Sequence, residues 1–210
     1  LEDCHFKAGK DMLCLYFNNN PDAQLFTGKS LRLGGSSAVY EDNNSYFGDL
    51  SAIIIENLPF WADYSSAPKQ ETALMGEWES KMKAIVDETI NEDITSLVGV
   101  PSWMLVLLNY VLERTGKTNI LEVWPNLEVY FHGGVNFNPY REQFKKLIGG
   151  DIHYLEMYNA SEGFFAYQDT RTEPGLLLNT NSGIFYEFIP LANVHDEAPI
   201  RISLADVKLG

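Results

Sequence analysis

The sequence is poor in sulfur: its 210 residues include two cysteines, Cys4 and Cys14, with no CxxC pair. A disulfide framework or a thiolate zinc site needs more than this, so reduced thiols of the cytoplasmic kind are expected. Long apolar runs are missing as well. Nothing approaches the ~18 consecutive apolar residues that suggest a transmembrane helix. The start, Leu1-Glu2-Asp3-Cys4-His5, lacks a Met, a charged leader region and an apolar leader core. The expectation is a cytoplasmic chain with no signal peptide and no membrane span, and a start without Met fits a fragment or a processed product. Positive charge is also scarce, with 15 Lys and Arg against 29 Asp and Glu, a formal net charge of -14 and no basic cluster. Such a field repels nucleic-acid phosphates and anionic membranes, so neither is an expected partner. It would resist a nucleotide too, unless a cation, helix N-termini and backbone N–H groups compensate locally.

What is present suits one globular unit with a sizeable core: 45% hydrophobic and 21% charged residues, without repeats or low-complexity tracts. The texture changes near Pro68 and Gly163, which divides the chain into 1–67, 68–162 and 163–210. The first stretch mixes apolar runs (Met12 to Phe17, Leu50 to Ile55) with turn-rich segments, Asn18-Asn19-Asn20-Pro21-Asp22 and Glu41-Asp42-Asn43-Asn44. The second predicts a long helix over 69–91, with Leu74, Trp78, Met82, Ile85 and Thr89 inward and Glu77, Lys81 and Glu88 outward. A strand over 94–98 follows, then a helix opened by Pro101 and ended by Gly116, with Trp103, Met104, Leu107, Leu108, Val111 and Leu112 on its apolar face. A strand over 127–131, a helix capped by Asn138 with Pro139 in its first turn, and a strand over 152–158 complete the alternation. Strand, helix, strand, helix, strand argues an α/β fold with a parallel sheet. The runs 164–168, 176–180 and 184–189, separated by polar turns, predict an antiparallel extension.

Open α/β sheets bind ligands outside the carboxyl ends of their strands, and two loops there carry chemistry. One is His132-Gly133-Gly134, where the missing side chains would let a flat ring approach the backbone. The other, Tyr158-Asn159-Ala160-Ser161-Glu162-Gly163, offers an aromatic face, a hydroxyl for a phosphate oxygen and a carboxylate for a hard cation. Together they fit a magnesium-nucleotide site. Singly, each has a structural reading: a turn, a packed tyrosine, a solvated Ser-Glu pair.

The segment Gly99-Val100-Pro101-Ser102-Trp103-Met104, the two loops above and Phe185-Tyr186-Glu187-Phe188-Ile189-Pro190 occur in an order and spacing that resembles the auxin-responsive (Gretchen Hagen) acyl-acid amido synthetases, their bacterial members above all. The likeness covers nearly the whole chain. It implies the wider superfamily of acyl-CoA synthetases, luciferases and adenylation domains. It also implies a two-step reaction, in which a carboxylic acid is activated by ATP and Mg2+ as an acyl-adenylate and then joined to an amino acid. By this resemblance Tyr158 would stack on adenine beside Gly133 and Gly134, with His132, Asn159 and Ala160 in the same nucleotide-binding loops. Ser161 would contact the α-phosphate, Glu162 would bind magnesium, and Val100, Trp103 and Met104 would border the acyl pocket. Alignment and charge neutralisation at phosphorus would carry catalysis, with no covalent nucleophile.

The sequence departs from that family in carrying neither the upstream Ser/Thr/Gly-rich phosphate loop nor the downstream Arg motif with its ribose-binding Asp. The expected reading is a piece of a single adenylating domain that lacks the mobile C-terminal domain, relies on the remainder of its own chain and is inactive alone. Gly28-Lys29-Ser30 fails as a Walker loop because Ala23 stands where glycine is needed. Gly34-Gly35-Ser36-Ser37 reads as a structural turn. Ser66-Ala67-Pro68-Lys69 lacks the partner motifs of penicillin-recognising enzymes and reads as a helix approach. His5, His153 and His195 have no ligand-spaced neighbours and read as packed or surface histidines. Two other readings stay open: an acyl-CoA ligase, and a non-catalytic nucleotide-binding or interaction module.

Overall fold

The computed structural model describes residues 1–35, 40–43, 45–170 and 175–208. A helical turn over Glu2–Phe6 leads into α1 (Lys7–Asn19), followed by β1 (Lys29–Leu33), the antiparallel pair β2 (Tyr40–Asp42) and β3 (Ser45–Phe47), α2 (Leu50–Glu56) and α3 (Phe60–Tyr64). Next come β4 (Ser66–Ala67), α4 (Gln70–Ala73), α5 (Trp78–Thr89), β5 (Ile94–Gly99), α6 (Pro101–Thr115), β6 (Val129–Gly133), α7 (Arg141–Ile148) and β7 (His153–Ala160). The chain ends with β8 (Gly163–Tyr167), β9 (Leu177–Leu178), β10 (Glu187–Phe188) and β11 (Ile202–Ser203).

Seven strands form one sheet in the order β4-β1-β5-β6-β7-β8-β9. Pairings from β4 to β7 are parallel, and β8 and β9 add on antiparallel. The fold is α/β with the expected antiparallel extension. Helices cover both faces, the usual way in which a parallel sheet buries itself. On one face Leu31, Leu97 and Tyr130 pack against α5, α6 and α7 in the larger core. On the other, Tyr16 of α1 and Leu25 pack with Val129, Phe131 and Leu155. Helix α6 forms as its sequence dictates, between Pro101 in its first turn and Gly116 in the left-handed conformation that ends it. Its Met104, Leu107, Leu108 and Val111 are fully buried, each burial stabilising by about 1.5–3 kcal/mol. No helix among the described residues is long and apolar enough to cross a membrane.

Several elements differ from the sequence-based expectation. The helix expected over 69–91 is two, α4 and α5, because the Glu77 carboxylate accepts the Glu79 and Ser80 N–H groups (3.0 and 2.7 Å) and so starts a new helix. Lys81, expected outward, is buried, with its ammonium donating to the Gly34 and Gly35 carbonyls (3.0 and 2.9 Å). Helix α7 begins at Arg141, with Asn138 to Tyr140 in a turn before it. Of the run 184–189, only Glu187 and Phe188 form a strand, and it pairs with β11 away from the main sheet. The apolar runs near residues 12 and 50 are helical, and β1 takes an interior place, second from the sheet edge, that no apolar run announces.

Candidate functional site

Strands β1, β5, β6 and β7 end together in the segments Gly34-Gly35, Gly99-Val100, Gly133-Gly134 and Asn159-Ala160. Residues alternate across a strand, so one set from these four strands faces the α1, α2 and α3 side. There they line a cavity of about 430 Å³. Arg32, Val98 and Phe131 share one level through direct pairing, and Gly133 and Met157 the next level towards the strand ends, with Asn159 beyond them. Ile54, Ile55 and Trp61 of α2 and α3 form the facing wall. The walls are mainly apolar, with polar side chains at a few points, the usual make-up of a small-molecule site.

Of the residues singled out in the sequence, Val100, Trp103, Gly133, Gly134 and Asn159 line this cavity. Trp103 is 38% exposed and meets Trp78 edge-on at 5.6 Å. Gly133 allows a close approach: a Cβ there would overlap the Met157 carbonyl oxygen of the neighbouring strand. Gly134 has φ of 81°, a left-handed conformation that favours glycine. Tyr158 points to the opposite side from Asn159, is 54% exposed and rests against Phe165 at 5.1 Å. Ala160 ends β7, and Ser161 and Glu162 form the exposed two-residue turn into β8. This second segment is therefore the end of a strand and a hairpin tip rather than one open loop.

Two singled-out residues face the other side of the sheet from the cavity. Met104, one position after Trp103 on α6, lies fully buried in the larger core. His132, one position before Gly133, is buried and stacks on Phe137 at 4.0 Å. Among the described residues, neither ring nitrogen of His132 has a hydrogen-bond partner. Burial first, and the nearby Arg141 charge second, push its pKa down to about 3. It is thus neutral in the folded protein, while an unfolded histidine takes a proton below pH ~6.5. A depressed pKa makes the associated stability fully present above ~6.5 and progressively lost as pH falls towards 3. Stability measured by urea unfolding should fall by about 2 kcal/mol more between pH 7 and pH 5 in the native protein than in His132→Phe. Equal pH dependence in both would place the proton uptake elsewhere.

The strand-end turn at Gly34-Gly35 is held from three sides. Lys81 takes both carbonyls, the Gly35 N–H donates to Ser51 Oγ (2.8 Å), and Ser51 Oγ in turn donates to Asp49, whose carboxylate also caps α2. Burial lowers the Lys81 pKa and the Asp49 charge opposes that shift. Of the segment expected as a structural turn, Gly34 and Gly35 also line the cavity, while Ser36 and Ser37 lie outside the described residues. A second clamp comes from the N-terminal turn: the His5 ring bonds the Ala160 carbonyl (3.1 Å) and the Phe164 N–H donates to Cys4 Sγ (3.3 Å). His5 is therefore packed, His195 is exposed, and His153 meets Tyr16. The Lys69 N–H donates to the Glu88 carboxylate just before α4, in keeping with a helix approach.

Sequence reasoning missed Arg32, Lys81 and the Asp49-Ser51 cap. The period-2 pattern Ser30, Arg32 against Leu31, Leu33 was the available signal for a strand with one polar face pointing into the site.

Comparison with known proteins adds the following. The model of the GH3 family N-terminal domain matches residues 3–152. Among solved structures, the GH3.15 acyl acid amido synthetase aligns over 100% of this chain and 46% of its own, with 13% identity and a TM-score of 0.70. The chain therefore spans less than half the length of that relative. A 2-hydroxyisobutyryl-CoA ligase (11% identity, 78% of this chain, 34% of that one, TM-score 0.46) and the Vibrio cholerae adenylation domain AlmE (11%, 94%, 32%, 0.45) align less closely. No curated protein matches. With the family model covering 3–152, well over half of its length, the chain belongs to the GH3 family.

Proposed function

We propose that this chain forms the acid-binding and part of the nucleotide-binding side of an adenylate-forming ligase that joins a carboxylic acid to an amino acid. The observation that carries the reading is the placement of an apolar cavity directly beneath the Gly133-Gly134 turn and Asn159, with the Ser161-Glu162 hairpin tip just beyond. The parent fold supports it, since GH3.15 is an acyl acid amido synthetase and the chain aligns with it throughout.

ATP and the acid are co-substrates in this scheme. One acid oxygen attacks the α-phosphorus and pyrophosphate leaves; the amine nitrogen of the amino acid then attacks the acyl carbon and AMP leaves. The chain's own groups bind and orient. The Gly133-Gly134 turn presents backbone without side chains at the strand end, and Tyr158 offers a half-exposed ring for stacking. Asn159 and Ala160 present the strand end, and Ser161 offers a hydroxyl to a phosphate oxygen. His132, buried on the far face, supports the Gly133-Gly134 turn from behind, as Met104 supports the Val100 and Trp103 wall. Magnesium, when bound, would neutralise charge between the phosphates. No group of three or more His, Cys, Asp or Glu side chains stands together among the described residues, so the ion would rest on Glu162 and phosphate oxygens, a pattern that suits magnesium.

The test is pyrophosphate release by the full-length protein with ATP, Mg2+ and a panel of carboxylic acids, followed by amino acids and detection of the amide. Acid-dependent release with an amide product supports the reading. Release with conjugation to coenzyme A in place of an amino acid would move it to an acyl-CoA ligase, and a well-folded protein that releases nothing across the panel would leave a binding module.

A further inference from the structure

The floor of the cavity carries a cation that the scheme above does not use. Arg32 sits mid-strand on β1, two residues before the strand-end turn, and its side chain lines the cavity. Its Nε is fully buried and has no hydrogen-bond partner among the described residues. Arg32 makes no ion pair among the described residues; Asp63, the carboxylate whose charge acts on it, is itself exposed on α3. Arg32 as a whole is half-buried, and a guanidinium so placed without a partner is poorly solvated, which suits it to receive an anion. Burial lowers its pKa only to about 10, so it stays charged.

Its position decides which end of a substrate it would meet. Arg32 pairs with Val98, and Val98 with Phe131, so its Cα stands two strands from β6 and one two-residue step below Gly133. With strands ~4.8 Å apart and ~3.3 Å per residue, that is roughly 12 Å from the Gly133 backbone. With the reacting carboxylate at the Gly133-Gly134 turn, that separation exceeds the reach of one arginine side chain, so Arg32 meets another part of the acid. The group that reaches Arg32 is the far end of the acid.

We infer that the acid taken by this cavity carries a second anionic group opposite its reacting carboxylate, and that Arg32 binds it across a mainly apolar channel. The class is a dicarboxylic acid with an apolar middle, held by a planar guanidinium whose paired N–H donors match a carboxylate. Val98, Phe131 and Ile54 would line the middle of the molecule. This inference rests on the cavity being the acid site, and it fixes the substrate's far end, which the reaction type alone leaves open.

Binding without turnover tests it. Trp61 and Trp103 line the cavity, so their fluorescence in the full-length protein reports ligand entry with no nucleotide present. The probes are straight-chain diacids from adipic to sebacic acid, each against the monoacid of equal chain length. The expected result is a diacid bound at least ~10-fold more tightly than its monoacid, with Arg32→Met weakening that diacid ~10- to 100-fold and the monoacid clearly less. Arg32→Lys should fall between the two. Overturning results are a native protein that prefers no diacid in the series, or an Arg32→Met protein, folded by circular dichroism, that weakens diacid and monoacid alike. If diacid preference and its Arg32 dependence hold but no pyrophosphate is released, the inference about the ligand stands and the adenylation reading falls. If release occurs with monoacids alone, the reverse follows.

Discussion

Pyrophosphate release by the full-length protein should fall about 100-fold or more in Glu162→Ala, at saturating acid and fixed ATP. Glu162 stands at an exposed hairpin tip between β7 and β8. Its removal should therefore leave stability within about 0.5 kcal/mol of the native value, so lost activity would report chemistry and not unfolding. The carboxylate's proposed work is to hold magnesium against the phosphates, and raising the Mg2+ concentration should recover part of the rate. A variant that keeps native release at every Mg2+ concentration would remove Glu162 from the site. Unchanged rate with a raised requirement for ATP would instead assign it to ground-state binding alone.

Gly133→Ala should lower both stability and activity, for one steric reason. Gly133 pairs directly with Met157, and the added methyl would overlap the Met157 carbonyl oxygen, which is backbone and cannot rotate away. Either β6 and β7 separate at the strand end or the methyl strains the ladder. The expected cost is about 2 kcal/mol or more. At that cost Tm should fall by about 4–8 °C for a chain of this size. Gly134→Ala makes a useful comparison, because its methyl would meet only a Val100 side-chain carbon at 3.4 Å and its penalty comes from the φ of 81°. That should cost about 1 kcal/mol. A Gly133→Ala protein with native Tm would mean that β7 can slide outward, and the closeness of the two strand ends would then be no constraint on the site.

Much of this architecture was legible in the sequence where one residue type dominates locally. Helix α6 announces both its ends with Pro101 and Gly116, and β5 and β6 are largely buried because both faces of a parallel sheet are covered there. β1 was not legible, since Ser30 and Arg32 make one of its faces polar and that face turns to a cavity instead of a core, while Lys29 at its start pairs with Glu92. The break between α4 and α5 hid because Leu74, Trp78 and Met82 keep helical spacing straight across it, while the Glu77 cap that causes it is visible only in three dimensions. Site residues separate along the same line. Gly133 and Trp103 reach the cavity and their immediate neighbours His132 and Met104 do not, because adjacent residues in a strand face opposite ways and adjacent residues on a helix stand about a quarter turn or more apart. A loop motif reads as a block in sequence, but the backbone deals its members to two faces.

The clamp between the N-terminal turn and the hairpin tip also bears on how the protein reaches this state. His5 meets Ala160 and Cys4 meets Phe164 across sequence separations of 155 and 160 residues. Contacts of that range demand that most of the chain be ordered first, because closing so long a loop loses entropy before any bond repays it. The clamp is then expected to close late in folding, after the local β7–β8 hairpin, and the strand end that carries Tyr158 to Glu162 is expected to loosen when the N-terminal turn is peeled away. Protection from proton exchange at Ala160 to Phe164 should accordingly disappear with that turn, while the interior strands β5 and β6 keep theirs.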